Sequence, residues 1–223
     1  MTTFISTSKP YKGMGMEGAV AKWYAGLTKK SLADFIALAR RVSQDLPVGS
    51  RILEIAPGPG YFAIELAKRG NYDIVGLDIS KTFVELARAN ATDANVSVDF
   101  RQGDAAKMPF ANEAFDFLVC RAAFKNFSQP VRVLEDMHRV LKRGGRALII
   151  DLRRDASMES INQAVSEMKL GTVNAFITRN TFRFMLLRRA YTKAELERMI
   201  AQTGFRQSEI CENPIGLEVS LIR

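Results

Sequence analysis

Between Arg51 and Asp151 five short apolar runs recur: RILEIA, YDIVGLD, VSVDFRQ, FDFLVC and GRALIID. Most are separated by stretches with helical spacing, namely YFAIELAKRG, SKTFVELARANA and QPVRVLEDMHRVLKRGG. Near-continuous apolar strands that alternate with helices predict an α/β, doubly wound, Rossmann-like parallel sheet covered on both faces. Ser80 and Ser128 are the expected N-caps, and Gly70 and Gly144 the expected helix stops.

The flanks read differently. Residues 17–45 predict one or two helices, with Leu32, Phe35, Ile36 and Ala39 as the core stripe. After Asp151 the alternation breaks into irregular helical material, MESINQAVSEMKL and VNAFITRNTFRFMLLRR. TKAELERMIAQTGF then gives an amphipathic helix, and RQSEICENPIGLEVSLIR two strands. Their Glu-Asn-Pro joint is long enough only for an antiparallel hairpin. A single domain is expected, with residues 1–48 as a helical cap, 49–151 as a cofactor-binding core, 152–190 as a helical insertion and 191–223 as the last helix and terminal hairpin. The apolar stripe of the insertion serves as a substrate lid, a partner surface or plain packing, the lid being preferred.

Composition supports one globular unit: 223 residues, 47% hydrophobic and 25% charged. MTTFISTSKPYKGM has no apolar core of a signal peptide, and no run approaches the roughly 18 apolar residues of a membrane span. Cys120 and Cys211 lie far apart, without CxxC or metal-ligand spacing, and His138 is the only histidine. A reducing, cytoplasmic setting without a metal site is expected. The net charge of +8 is uneven, since Arg179, Arg183, Arg188, Arg189 and Lys193 have no acid among them. Such a surface favours anions, or simply keeps a helix face solvated.

Chemistry concentrates where the first run ends in a turn, RILEIAPGPGYFAIELA. Gly58 and Gly60 permit unusual backbone angles and close approach of main chain to a ligand, and free N–H groups at the following helix start face the same crevice. Pro57 and Pro59 offer no donor. GPGYFA also satisfies the loose GxGxxA dinucleotide fingerprint, so the turn alone leaves a nicotinamide enzyme open. Three carboxylates add to it: Glu54 before the turn, Asp78 ending the next run and Asp104 after the third. In an open α/β sheet, ligands bind beyond the carboxyl ends of the strands where strand order reverses, so these acids would rim one crevice. A carboxylate after strand two suits a ribose diol.

This constellation resembles the class I S-adenosylmethionine-dependent methyltransferases. EIAPGPG is similar to their E/D-x-G-x-G-x-G loop with Ala56 in place of the first glycine, and LEDMHRVLKRGGRALIID is similar to their helix, turn and fifth strand. The resemblance implies a seven-stranded sheet of order 3-2-1-4-5-7-6 with strand seven antiparallel, N-terminal helices and a helical insertion after strand five. It implies S-adenosyl-L-methionine as cofactor and S-adenosyl-L-homocysteine as product. Glu54, Ala56, Gly58 and Gly60 would hold the methionine portion, Asp78 the ribose, and Ile79, Asp104, Ala105 and Met108 the adenine. Cys120 and Arg121 would lie beside the amino-acid end, with Lys125, Asn126 and Arg153 on the acceptor side.

No residue declares itself a general base; the candidates are Asp151, Tyr191, Tyr24 and Glu17. Trp23 and Tyr24 either pack in the front helix or close over the cofactor. RAAFKNF with LEDMHRVLKRGG faintly resembles the quinone-biosynthesis branch of the family. The absence of an Asn/Asp-Pro-Pro-Tyr segment after strand four argues against a nucleic-acid amino acceptor. A small molecule, apolar or with an anionic part, is expected, and the oligomeric state is left open. The competing readings are an NAD(P)-dependent oxidoreductase, a non-catalytic binding protein of the same fold, and an RNA methyltransferase using the basic stretch.

Overall fold

A computed structural model describes residues 10–13, 15–168 and 171–223. Seven strands form one sheet: β1 (Arg51–Ile55), β2 (Asp73–Asp78), β3 (Asp99–Gln102), β4 (Phe115–Arg121), β5 (Leu141–Leu152), β6 (Gln207–Glu212) and β7 (Gly216–Ile222). Their order is β3-β2-β1-β4-β5-β7-β6. β1 pairs in parallel with both β2 and β4, while β7 runs antiparallel to β5 and β6. The order reverses between β1 and β4, whose tips sit side by side through the Ile55–Cys120 pairing. A crevice opens at such a reversal.

Alternation along each buried strand feeds two cores. Leu53, Ile55 and Leu118 face a layer containing Leu134 and Met137 of α5 (Pro130–Val140) and Leu196 and Ile200 of α9 (Lys193–Ile200). Ile52, Phe117 and Val119 face α2 (Leu32–Gln44), α3 (Tyr61–Ala67) and α4 (Lys81–Asp93). The stripe of α2 is Phe35, Leu38, Ala39 and Val42, with Leu32 packed partly buried beside it, so that of the expected Leu32, Phe35, Ile36 and Ala39 only Ile36 falls outside. Ile36 is exposed, because the helix starts at Leu32 after a 3-10 turn (Lys29–Ser31) separates it from α1 (Gly18–Thr28).

Ser80 caps α4 as expected, accepting from Phe83 N–H at 3.0 Å. Ser128 does not cap α5: Gln129 holds that position without a side-chain bond, and Pro130 opens the helix with its φ already fixed. The expected glycine stops also fall outside the helices. α3 ends at Ala67, before Gly70, and α5 ends at Val140, where Leu141 turns directly into β5. After β5 the insertion forms α6 (Met158–Glu167), α7 (Thr172–Thr181), a π turn (Phe182–Leu186) and α8 (Leu187–Arg189). It has a small core of its own: Ile161, Val165, Ala175 and Leu187.

Phe100 on β3 is buried under the β1–α3 turn, filling space that the side chains of Gly60 and Gly76 would otherwise take. Phe100→Ala should therefore lower the unfolding free energy in a denaturant titration by about 3–5 kcal/mol.

Candidate active site

The β1–α3 turn adopts left-handed backbone at Ala56 (φ 56°), Gly58 (φ 56°) and Gly60 (φ 79°). The two glycines serve different ends. A Cβ built at Gly60 would lie 2.6 Å from Phe100 Cζ and 2.9 Å from Ala87 Cβ, so this glycine is required for packing. Gly58 is buried, yet a Cβ built there meets nothing within 4 Å. Its main chain thus borders a void. Ala56 carries a strain of about 1–2 kcal/mol for its backbone, which explains why a glycine suits that place. Ala122, just past the neighbouring tip of β4, has φ 57°, and its N–H bonds Ile150 O at 2.7 Å. Backbone strain of this kind gathers at ligand sites.

Two buried carboxylates shape the turn. Asp78 Oδ2 accepts from Gly58 N–H and its Oδ1 from Ser80 N–H, both at 2.9 Å. Glu54 Oε2 accepts from Ala63 N–H at 3.0 Å in the first turn of α3. Burial pushes the Asp78 carboxyl up to about 6 and the Glu54 carboxyl up to about 8, against the pull of these amides. Arg121 lowers Glu54 further from across the strand tip, while its guanidinium rests 4.2 Å from the Phe35 ring centre. Asp104 follows β3 and accepts from Ala106 N–H at 2.8 Å, with Ala105 and Met108 buried beside it. Ile79 is half-buried after β2, its carbonyl bonded by Gln102.

The tips of β4 and β5 carry a buried ion pair. Lys125 Nζ lies 2.7 Å from Asp151 Oδ1 and also bonds Ala122 O at 2.5 Å. Lys125 N–H and Leu152 N–H donate to the same carboxylate. Asp151 is therefore tied by three protein donors to the corner it holds together. Asn126 Oδ1, next along the chain, is buried without a hydrogen-bond partner. Phe124, Phe127 and Tyr191 stack edge to face around this corner. Cys120 is fully buried, and burial pushes its thiol up, so only its main chain borders the site. Arg153 turns away to Asp155 and Glu212.

The described residues of the N-terminal segment 10–18 lie across this edge of the sheet. At one end Lys12 N–H bonds Asn126 O, and Lys12 Nζ bonds Tyr191 Oη at 2.6 Å. At the other, Glu17 accepts from Lys81 and Thr82 N–H at 2.9 and 3.0 Å, and Ser80 Oγ donates to Met16 O. These anchors follow β4 and β2, the two strands that flank β1. Bonding to the Thr82 hydroxyl and to both backbone amides holds the Glu17 carboxyl below its usual range despite some desolvation. Glu17, a base candidate from the sequence, serves here as a latch on the start of α4. Tyr24 packs edge-on to Phe83, and Trp23 points outward at 68% exposure, so it does not close the site. This strap was illegible in the sequence, which marked only Glu17, as a base candidate, because its anchors are residues distant in the chain.

Residues 53–149 match the family described as a methyltransferase domain. A demethylmenaquinone methyltransferase from Deinococcus radiodurans is 32% identical over 163 residues, 70% of this chain and 68% of that protein. Among solved structures, a Methanococcus maripaludis protein assigned to the S-adenosyl-L-methionine-dependent methyltransferases superposes with a TM-score of 0.77 at 22% identity, covering 95% of both chains. The [4+2]-cyclase SpnF shares the fold with a TM-score of 0.60 at 22% identity, over 78% of this chain and 59% of its own. The fold and crevice are those of a nucleoside-binding transferase. The chain belongs to the class I S-adenosylmethionine-dependent methyltransferases: it is an enzyme that uses S-adenosyl-L-methionine to methylate a small molecule. The residues fit that cofactor, since the void at Gly58 exposes main chain and the buried acids at the tips of β1 and β2 offer hydrogen-bond acceptors that a cationic nucleoside would draw toward ionisation.

The two glycines should separate by measurement. Gly60→Ala should lower the melting temperature by several degrees through its clash and strained φ. Gly58→Ala should retain more of the melting temperature but weaken S-adenosylhomocysteine binding about tenfold or more in calorimetry.

Proposed function

We propose that Asp78 accepts the ribose hydroxyls of the cofactor, and that the main chain from Ala56 to Gly60, with Glu54 behind it, receives the methionine portion beside Arg121 and the Cys120 backbone. Ile79, Asp104, Ala105 and Met108 form the adenine end. The observation that carries this reading is the open space over Gly58, bordered by a carboxylate already bonded to that glycine. Each carboxylate oxygen has lone pairs beyond the one its amide uses, so Asp78 can keep the turn and still accept from a diol.

When bound, S-adenosyl-L-methionine supplies a methyl carbon already electrophilic on a sulfonium. The protein's work is then alignment and exclusion of water. The strap joins the segments that follow β4 and β2. The Lys125–Asp151 pair fixes the corner after β4, presenting Asn126 and the Phe124-Phe127-Tyr191 cluster to the acceptor. Asp151 positions this corner, and Arg153 braces the base of the insertion. Tyr191 Oη, held by Lys12, is the remaining group placed to take a proton if the acceptor must lose one.

The aromatic corner favours an apolar, quinone-like acceptor, the class named for the Deinococcus radiodurans relative. A cytoplasmic, reducing setting suits Cys120 and Cys211, which are both free. Among the described residues no helix is long and apolar enough to cross a membrane.

S-adenosylhomocysteine should raise the melting temperature, whereas NAD(P) should leave it unchanged; the reverse would restore the oxidoreductase reading. Asp78→Ala should weaken S-adenosylhomocysteine binding at least about tenfold, the loss expected for one charge-assisted bond of about 1.5–3 kcal/mol. Because hydroxyl donors favour the ionised carboxylate, binding should weaken as pH falls through about 6. Asp78→Asn should flatten that dependence. A wild-type affinity constant from pH 7 to pH 5 would remove Asp78 from the site.

A further inference from the structure

We propose that the outer face of α7, the π turn and α8 docks on the surface of a bilayer containing anionic phospholipid. Phe176 (66% exposed), Ile177 (56%), Phe184 (47%) and Met185 (47%) project from this face, while Ala175, Phe182 and Leu187 turn inward on the lobe's small core. Large apolar side chains thus remain on the outside after that core is filled, where an ordinary amphipathic helix is polar. Four such side chains on one lobe are more than the scattered singles common on a protein surface.

Arginines interleave with them. Arg183 and Arg188 carry their guanidinium carbons 5.0 and 5.7 Å from the Phe184 ring centre. Among the described residues, no ion pair involves Arg179, Arg183 or Arg188, and no acid occurs from Arg179 to Lys193. The cations are therefore available to an external anion. The lobe leaves β5 at the carboxyl edge of the sheet, the edge that opens the crevice. Helix α1 sits at the same edge, tied to Thr82 and Tyr61, and exposes Trp23 and Leu27 beside Lys22, Lys29 and Lys30.

Charge complementarity selects the occupant. A bilayer interface meets both halves of the pattern at once, with anionic headgroups for the guanidiniums and the acyl boundary for Phe, Ile and Met. RNA would satisfy the arginines and one or two rings, but gives Ile177 and Met185 nothing. A protein interface also enriches Phe, Met and Arg. Here, however, Arg179, Arg183, Arg188 and Arg189 carry no acid among them, and α1 with the turn after it adds Lys22, Lys29 and Lys30 at the same edge, a one-sign excess that an anionic surface answers.

Vesicle flotation of the full chain tests the proposal without any acceptor or turnover. The protein should float with phosphatidylcholine vesicles containing about 30% phosphatidylglycerol and remain behind with phosphatidylcholine alone. Arg183→Gln/Arg188→Gln and Ile177→Ser/Phe184→Ser should each weaken flotation about tenfold or more. Both should keep the melting shift given by S-adenosylhomocysteine, which reports an intact fold. No flotation with the anionic vesicles would overturn the proposal, as would equal flotation of either double variant and wild type. Binding of single-stranded RNA without vesicle binding, or self-association lost in Ile177→Ser/Phe184→Ser without vesicle binding, would assign the face to RNA or to a second copy instead.

Discussion

One carboxylate holds the binding half of this protein together. Asp78 is buried, and its two oxygens are bonded by amides of two different turns, Gly58 after β1 and Ser80 after β2. An isolated charge at that depth would be expelled or neutralised. Backbone donors that cannot move away answer it, and in doing so they fix the distance between the glycine turn and the start of α4. Glu54 repeats the device one strand over, through Ala63 on α3. The price of both is a pair of acids poised close to neutrality, which makes the crevice responsive to a cation or a hydroxyl donor arriving in it.

The acceptor side is built on a different principle. There the buried carboxylate is answered by a charge as well as by amides, Lys125 with Asp151, beside the aromatic corner. Removing one partner of such a pair leaves the other stranded, at about 3–5 kcal/mol, even though the pair as a whole contributes little net stability. Its value lies in rigidity: one carboxylate gathers the Lys125 side chain, the Lys125 amide and the Leu152 amide into one fixed corner. SpnF, a cyclase with the same fold, shows that this architecture does not dictate its reaction. What specifies chemistry is how such corners are furnished.

Much of this was legible in the residues. The apolar runs announced the strands, and Gly-Pro-Gly with Asp78 announced the crevice, because both rest on local requirements: burial on two faces, unusual φ, a strand-end acid. The family resemblance supplied the sheet order. Ser128 and Gly144 misled, since Pro130 started one helix without a cap and Leu141 left it without a glycine. Glu54 pointed to the ligand in the sequence, but its visible partner is Ala63. The fates of Asp151 and Glu17 depend on contacts with residues distant in the chain, Lys125 in one case and Lys81 with Thr82 in the other. No periodicity encodes such meetings.

The strap from residue 10 to 18 is pinned at two places that share nothing. One end lies with Asn126 and Tyr191, the other with Ser80 and Thr82. A strap fastened by two unrelated sets of bonds can lose one and keep the other, so its two halves are free to loosen independently.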